Sequence, residues 1–449
     1  MISSIKIFAN FSFALTCLLT LYLSQETFLS FFICLALVII CLIAAYQKTL
    51  IMTIFSVKVF IGFLLPYMLV RSGWSNIFED APRILATKDS TMIYVVLFYS
   101  ILMLTYLFLD KSSINKTPSK IFSLKYSHVK LNDMILLPLF MFVAVAGDYF
   151  LFLNGMLIMV AQEQIYFGPF AAIIKILASF KWLLLLYCGY LYRIGKGGPF
   201  VTAFYILIII PYCMLIGIIS GSRFNFFYPI LIIIYNHFGF FKRYIPLMVL
   251  MIPFVLTIFP ILGNYRSMPD PDLYLAYELT LEDLDVLANT FQVAFDRLSQ
   301  LSLINVVFET MSQSQVHQYR SDYLFNLYGL IPRLIWPNKP SPLDTNEFGV
   351  QMGALDEKNY TTSIGFEVVG ESFIMLGYFG LIIAAFQAYI FWFIENKIDK
   401  GVASGFMLYM SLAITAVMTG TYVNIIPTLI LASAILPILY LFNRDQHKE

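Results

Sequence analysis

The sequence predicts an all-α protein that crosses a membrane many times, and two observations carry this prediction. Of its 449 residues, 60% are hydrophobic and only 12% are charged, whereas soluble domains average about 25% charged residues. The apolar residues also gather in repeated runs of about 18 or more, which is long enough to cross a bilayer as a helix. We therefore interpret residues 1–449 as a single integral membrane domain.

About twelve transmembrane helices are predicted, each on one apolar run. Their spans are 5–23, 27–46, 50–70, 91–109, 133–153, 170–192, 200–220, 225–240, 244–262, 365–393, 403–420 and 423–442. The first run leads into "SQET" without a small-residue cleavage site, so we expect it to be a retained helix.

The lysines and arginines predict the orientation of these helices, because cytoplasmic loops are enriched in them. The loop 110–130 holds five lysines, and with twelve spans the other basic turns fall on its side of the membrane: Arg193, Lys196, Lys242, Arg243, Lys397 and Lys400. Both termini are then cytoplasmic.

Residues 264–363, between helices 9 and 10, form one large extracytoplasmic loop. Its first part is amphipathic at helical spacing and its second part is rich in Pro and aromatic residues, which favours a packed lid.

Several classes of site and partner are not expected. The five cysteines lie inside apolar runs and do not pair by spacing, so neither a disulfide framework nor a zinc site is predicted. The sequence contains no P-loop, no GxSxG element and no cluster of metal ligands. Its net charge of +1 gives no electrostatic reason to expect nucleic acid. We expect no metal and no cofactor.

Two arginines at predicted helix ends on the outer face are candidates for binding phosphate. Arg223 lies in the turn "GSRFN" at 221–225, and Arg266 follows helix 9. A guanidinium can hold a phosphate through two parallel hydrogen bonds, and lipid-linked substrates place their phosphates at this depth. The alternative is that both arginines anchor helix ends at the level of the lipid headgroups.

Three lysines lie inside predicted spans, where a charge costs about 2.5–3.5 kcal/mol. Lys175 is placed to join an anion site near the outer surface. The alternative for Lys58 and Lys181 is hydrogen bonding to buried carbonyl groups. Asp148, towards the outer end of helix 5, is predicted to pair with one of these lysines.

Two carboxylates and one histidine are candidates for a general base. Glu367 and Glu371 are four residues apart and share one helical face at the mouth of helix 10, with Glu371 the deeper of the two. The alternative for Glu367 is the preference of acidic residues for a helix N-terminus. His317 is the only histidine predicted outside, where an isolated loop histidine is usually incidental.

Segments from about residue 140 to 385 resemble, in their order and shared outward face, the Wzy-type oligosaccharide repeat-unit polymerases of bacterial inner membranes. This family includes the enterobacterial common antigen polymerase. The segments are "FLNGMLIMV", "GSRFN", the arginine after helix 9 (Arg266), "DRLSQLSLINVV" around Arg297, "LIPRLIWPNKPS" and "TTSIGFEVVGESFIMLGYFG".

The resemblance implies a metal-independent, C-type glycosyltransferase-like enzyme of the bacterial inner membrane. It would polymerise undecaprenyl-pyrophosphate-linked oligosaccharide repeat units into a surface polysaccharide, alongside a chain-length regulator and a flippase. Arg223 would grip the donor pyrophosphate. Glu371 or His317 would take the proton from the acceptor hydroxyl, and four further cations would complete the pyrophosphate site: Arg266, Arg297, Lys175 and Lys339.

Two alternative functions remain open. An O-antigen ligase performs the same chemistry with lipid A core as the acceptor, and the related ligases carry a histidine in the large outer loop. His317 lies in "SQSQVHQYR", which does not match their pattern. A lipid-linked oligosaccharide flippase, or another transporter, would instead line a central cavity with charge.

Overall fold

The computed structural model describes residues 28–47, 49–71, 89–112, 131–153, 174, 177–219, 223–236, 300–313, 367–398, 400 and 403–418. Within these ranges the chain is helical and no strand occurs. The predicted spans 5–23, 244–262 and 423–442 lie outside the described residues, as does most of the segment 264–363.

The helices of the described ranges are α1 (Phe28–Tyr46), α2 (Leu50–Val59), α3 (Leu65–Arg71), α4 (Asp89–Ser112), α5 (Leu131–Leu153), α6 (Phe180–Arg193), α7 (Gly198–Phe204), α8 (Ile210–Ile219), α9 (Arg223–Asn236), α10 (Leu301–Gln313), α11 (Glu367–Leu376), α12 (Leu381–Lys397) and α13 (Ala403–Met418). Two π-helical turns continue a helix into its successor: Phe60–Leu64 joins α2 to α3, and Tyr205–Ile209 joins α7 to α8. A 3₁₀ turn, Gly377–Gly380, joins α11 to α12.

By length and composition alone, five helical runs in the described ranges are long and apolar enough to cross a membrane: Leu50–Arg71, Ser90–Lys111, Ile135–Leu153, Gly198–Gly217 and Glu367–Lys397, the last of which reverses direction within its length. Large apolar side chains remain exposed on their surfaces, among them Phe108 at 73% and Phe142 at 70%. Lipid accommodates such side chains without the free-energy cost that water imposes. The predicted helical, membrane-spanning class is confirmed at this level, and the total of twelve spans stays a prediction.

A buried carboxylate joins three helices at one end of the bundle. Glu395, near the end of α12, accepts a hydrogen bond from the backbone N–H of Ile51 at the start of α2 (3.4 Å). It also accepts one from the hydroxyl of Tyr409 in α13 (2.8 Å) and forms an ion pair with Lys400. The start of α2, the end of α12 and the start of α13 therefore lie together.

Two further contacts bring α4, α6 and α9 to the same end. The hydroxyl of Tyr106 in α4 hydrogen-bonds the side chain of Thr49, which precedes α2. The guanidinium of Arg193, at the end of α6, lies over the rings of Tyr235 in α9 (4.6 Å) and Phe406 in α13 (5.8 Å). We name this end the basic end, because its helix termini carry Lys111, Arg193, Lys397 and Lys400. The topology predicted from the sequence places these four residues on one side of the membrane. That this side is cytoplasmic stays a prediction.

The predicted span 365–393 is not one straight helix. Glu367 forms an ion pair with Lys58 of α2 (2.5 Å), while Glu395 meets Ile51 of the same helix. Residues 51 and 58 are only about 10 Å apart along α2, whereas residues 367 and 395 would be about 42 Å apart in a straight helix. A lysine side chain cannot bridge that difference. Along the bundle axis, α11 therefore runs away from the basic end, and α12 returns to it.

Two glycines allow this reversal. Gly377 ends α11 with a φ of +60°, a conformation that costs glycine nothing. At Gly380 the backbone of α11 passes so closely that an added Cβ would lie 2.3 Å from the carbonyl oxygen of Ser372 and 2.6 Å from the hydroxyl of Tyr94. The hairpin formed by α11 and α12 depends on the missing side chain at Gly380.

We expect Gly380→Ala to destabilise the protein by about 1–3 kcal/mol, the usual cost of overpacking, because a backbone oxygen cannot swing aside. Thermal unfolding of the purified protein in detergent measures this. Gly197→Ala is the matched control, since its added Cβ would meet Val201 at an ordinary 3.4 Å. Equal melting temperatures for the two variants would contradict the close approach at the hairpin.

Candidate functional site

The most unusual charged contact of the described residues lies where α11 begins. Glu367, the first residue of α11, pairs with Lys58 at 2.5 Å, and their side chains are only 9% and 19% exposed. The Lys58 ammonium also donates a hydrogen bond to the carbonyl oxygen of Val417 in α13 (2.7 Å). Lys58 lies about 12 Å from the start of α2, close to the middle of the run Leu50–Arg71. One lysine thus joins three helices near mid-depth.

Glu367 also has an unusual backbone. Its φ of +56° is the only left-handed value among the described non-glycine residues. A residue in that region costs of order 1–3 kcal/mol and persists only where its surroundings hold it, most often at functional sites. The position at a helix N-terminus agrees with the alternative considered from the sequence, since the helix dipole favours a carboxylate there. The helix dipole does not explain the ion pair of Glu367 with the partly buried Lys58.

The helix α10 begins beside the same helical run, Leu50–Arg71, about one turn beyond Lys58. The backbone N–H of Gln300, just before α10, donates to the carbonyl oxygen of Gly62 in the π-helical turn (3.0 Å). Gly62 follows Lys58 by four residues, so the two positions share a helical face. α10 belongs to the predicted loop 264–363, yet Leu301, Ile304 and Val307 are fully buried. The expected amphipathic helix is confirmed over this stretch, and it packs inside the bundle.

Aromatic side chains fix the second half of α11. The rings of Phe308 in α10 and Phe373 in α11 stack at 3.7 Å, and the ring of Tyr94 in α4 meets both edge-on at 5.2 and 5.3 Å. The Tyr94 hydroxyl lies 3.0 Å from the hydroxyl of Ser372. α10, α11 and α4 therefore meet at Ser372 and Phe373, directly after Glu371.

Glu371 lies between Glu367, which pairs with Lys58, and Phe373, which packs against Phe308 and Tyr94. It is 1% exposed, and every residue from Glu367 to Ile374 is buried. The sequence predicted that Glu371 lies deeper in the membrane than Glu367. In the structure α11 runs away from the basic end, so Glu371 lies further from that end than Glu367 does. If the basic end is cytoplasmic, as predicted, the expected order is reversed. A carboxylate inside a membrane-spanning bundle is costly and points to a functional role.

A separate buried pair lies on α5, α6 and α8. The Lys181 ammonium contacts one oxygen of Asp148 at 2.6 Å and also donates to the carbonyl oxygen of Ala178 (3.0 Å), while the hydroxyl of Tyr212 donates to the other Asp148 oxygen (2.7 Å). The predicted pairing of Asp148 with an intramembrane lysine is confirmed. So is hydrogen bonding of Lys58 and Lys181 to buried carbonyls. Both Asp148 oxygens are engaged, which makes this triad a link between three helices.

The other predicted site residues are only partly described. Arg223 is the first residue of α9, as its predicted place at a helix end requires. Since Tyr235 of the same helix lies at the basic end, the backbone of Arg223 is about 18 Å away towards the opposite end. The remaining candidates lie outside the described residues: His317, Arg266, Arg297, Lys175 and Lys339. In the described ranges no three metal-ligating side chains come together.

Sequence reasoning missed the contact between Lys58 and Glu367 and the place of Gly62 beside it. The signal was present in part, since a lysine and a glycine four residues apart interrupt an otherwise apolar run. No protein-family model, curated protein or solved structure matches the chain. A function must therefore be argued from these residues and from the resemblance described above.

If Glu371 accepts a proton during catalysis, Glu371→Gln should lower activity by about 10²-fold or more, the scale for losing a general base. The glutamine keeps the shape of the side chain, so lipid-linked substrate should still bind. His317→Ala should have only a mild effect. Activity per amount of inserted protein is the measurement. A large loss in His317→Ala with normal activity in Glu371→Gln would move the base to the loop.

Proposed function

We propose that the protein is a metal-independent polymerase of lipid-linked oligosaccharide repeat units in the bacterial inner membrane. The donor is a glycan on undecaprenyl pyrophosphate, and the acceptor is a sugar hydroxyl of a second lipid-linked unit. The acceptor oxygen forms the new glycosidic bond at the anomeric carbon of the donor. The bond from that carbon to the pyrophosphate oxygen breaks, and undecaprenyl pyrophosphate leaves.

One observation carries the proposal: Glu371 is a buried carboxylate on a short helix that begins near mid-depth in a membrane-spanning bundle. We assign the proton of the acceptor hydroxyl to Glu371, because it is buried and lies one turn beyond Glu367 on the part of α11 that is further from the basic end. A lipid-linked acceptor reaches such a carboxylate from within the membrane plane, as a soluble sugar would not.

At the leaving pyrophosphate, arginine side chains supply the positive charge that a metal ion would otherwise supply. In the proposal, Arg223 binds the donor pyrophosphate, and its bidentate hydrogen bonds stabilise the charge that develops as the bond breaks. Arg266, Arg297, Lys175 and Lys339 complete this anion site. In the proposal, the segment 264–363 apart from the buried helix α10 covers this site from the extracytoplasmic side, and both termini lie in the cytoplasm. A chain-length regulator and a flippase are the proposed protein partners.

A second candidate function, a lipid-linked oligosaccharide flippase, has one specific observation in its favour. α10 and α11 begin near mid-depth, and a charged pair lies at the start of α11. Transporters also use interrupted helices with buried charges near mid-depth to bind their cargo. The two functions can be distinguished by their products, because a polymerase forms a new glycosidic bond and a flippase forms none.

The deciding experiment supplies purified protein with lipid-linked repeat units and no nucleotide sugar. A polymerase converts them into a ladder of longer lipid-linked glycans, resolved by electrophoresis. Product only after addition of lipid A core would assign the protein as a ligase. Transport of labelled units across vesicles without any new bond would assign it as a flippase.

We expect Arg223→Ala to abolish the ladder while the protein remains inserted and abundant, because a pyrophosphate contact is lost. Arg223→Lys should rescue poorly, since an ammonium cannot form the two parallel hydrogen bonds of a guanidinium. Polymer yield normalised to protein in the membrane is the measurement. Normal yield from Arg223→Ala would make this residue an anchor of the helix end.

A further inference from the structure

The candidate base is held from two sides along a helix of only ten residues. Beyond Glu371, the rings of Phe308 and Tyr94 pack against Phe373. Before Glu371, the first residue of α11 is tied to Lys58. The aromatic packing acts on the second turn of α11. In the first turn, whose residues are all buried, the ion pair of Glu367 supplies a polar contact at the start of the helix.

Lys58 is well suited to hold this turn in place. An ammonium has three donors and no acceptor, and two of its hydrogen-bonding directions are used by Glu367 on α11 and by the carbonyl oxygen of Val417 on α13. These partners belong to different helices, so the ammonium cannot follow Glu367 if α11 moves. The left-handed φ of Glu367 needs such a fixed partner, because the backbone alone disfavours it.

We infer that Lys58 is a positioning residue that sets the place of Glu371 by fixing the first turn of α11. Lys58 touches neither the substrate nor the reacting atoms; it acts through Glu367 and the helix that begins there. The catalytic part of this inference rests on the proposed function, whereas the structural part does not.

Loss of the ammonium has a defined physical consequence. The Glu367 carboxylate would remain in an apolar setting without its lysine, which is unfavourable for a charge. Glu367 then moves to other contacts or towards water, and its left-handed backbone relaxes. Either change releases the first turn of α11, and Glu371 lies on the next turn. Lys58→Met keeps the length and apolar body of the side chain, so it isolates the effect of the ammonium.

A cysteine reporter tests the structural part in the full-length protein. The five native cysteines are replaced by alanine, Glu371→Cys is introduced, and its reaction with a small charged methanethiosulfonate is timed in membranes. We expect slow labelling with Lys58 present and labelling about tenfold faster with Lys58→Met, because local opening exposes the thiol. Lys58→Arg should restore slow labelling. Equal rates in all three proteins would overturn the inference.

Lys181→Met is the matched control, because it breaks a buried lysine–carboxylate pair on other helices. It should leave the labelling rate at position 371 unchanged, even if it lowers the melting temperature as Lys58→Met does. Faster labelling in Lys181→Met would mean that any broken buried pair loosens the bundle, and the inference would fail. If Lys58→Met does not accumulate, Glu367→Gln removes the same ion pair from the other side and should also accelerate labelling.

The catalytic part is tested with Glu371 intact. Lys58→Met should lower kcat by about tenfold or more with KM changed by less than about threefold, the pattern for a misplaced reacting group. Lys58→Arg should recover most of kcat, and Lys181→Met should keep the parent kcat per folded protein. An unchanged kcat in Lys58→Met would overturn the positioning role. Absence of polymer from the parent protein would defeat the polymerase proposal, while the cysteine labelling would still decide whether Lys58 holds α11.

Discussion

A helix that begins inside an apolar bundle must find partners for its first N–H groups within the protein, because lipid offers none. α10 shows this constraint, because the N–H of Gln300, just before the helix, donates to the Gly62 carbonyl in the run Leu50–Arg71. α11 begins beside the same run, where the carboxylate of Glu367 forms an ion pair with the ammonium of Lys58. A π-helical turn at Phe60–Leu64 interrupts the regular hydrogen-bond ladder at this place, as such turns often do at functional sites.

The two lysine–carboxylate pairs, one buried and one partly buried, both neutralise charge inside the bundle but have different structural roles. Asp148 and Lys181 join helices within the α5, α6 and α8 group, with additional partners on both sides of the pair. Lys58 and Glu367 instead fix the start of a short helix whose first residue has a strained backbone. A strained turn stores free energy that its contacts must offset. The pair at α11 therefore controls the geometry of the turn, in addition to neutralising charge.

Within the described ranges, the sequence predicted where helical segments lie, because lipid-facing and buried positions both select apolar residues and a span appears as an apolar run. The pairing of Asp148 with an intramembrane lysine was also predictable, since a charge there requires a partner. The hairpin of α11 and α12 was not, because an apolar run gives no sign of direction. The two glycines in "GYFG" were the one available signal. The contact between Lys58 and Glu367 joins residues far apart in the chain, and the φ of Glu367 leaves no trace in its residue type.

The proposed reaction requires the proton acceptor and the leaving pyrophosphate to lie at different depths in the bundle. The arrangement of the described helices is compatible with this. The backbone of Arg223 begins α9 about 18 Å from the basic end, towards the opposite end, and the proposed function places the lipid pyrophosphate near it. α11 rises in that direction from mid-depth, so Glu371 lies between the level of Lys58 and the level of that end. In the proposed reaction, the acceptor hydroxyl then approaches from beneath the pyrophosphate, and its proton passes inward to Glu371 as the leaving group departs outward. Proton acceptor and leaving group on opposite sides of the anomeric carbon are what an in-line displacement requires, and the depth at which Lys58 fixes α11 determines whether that separation is achieved.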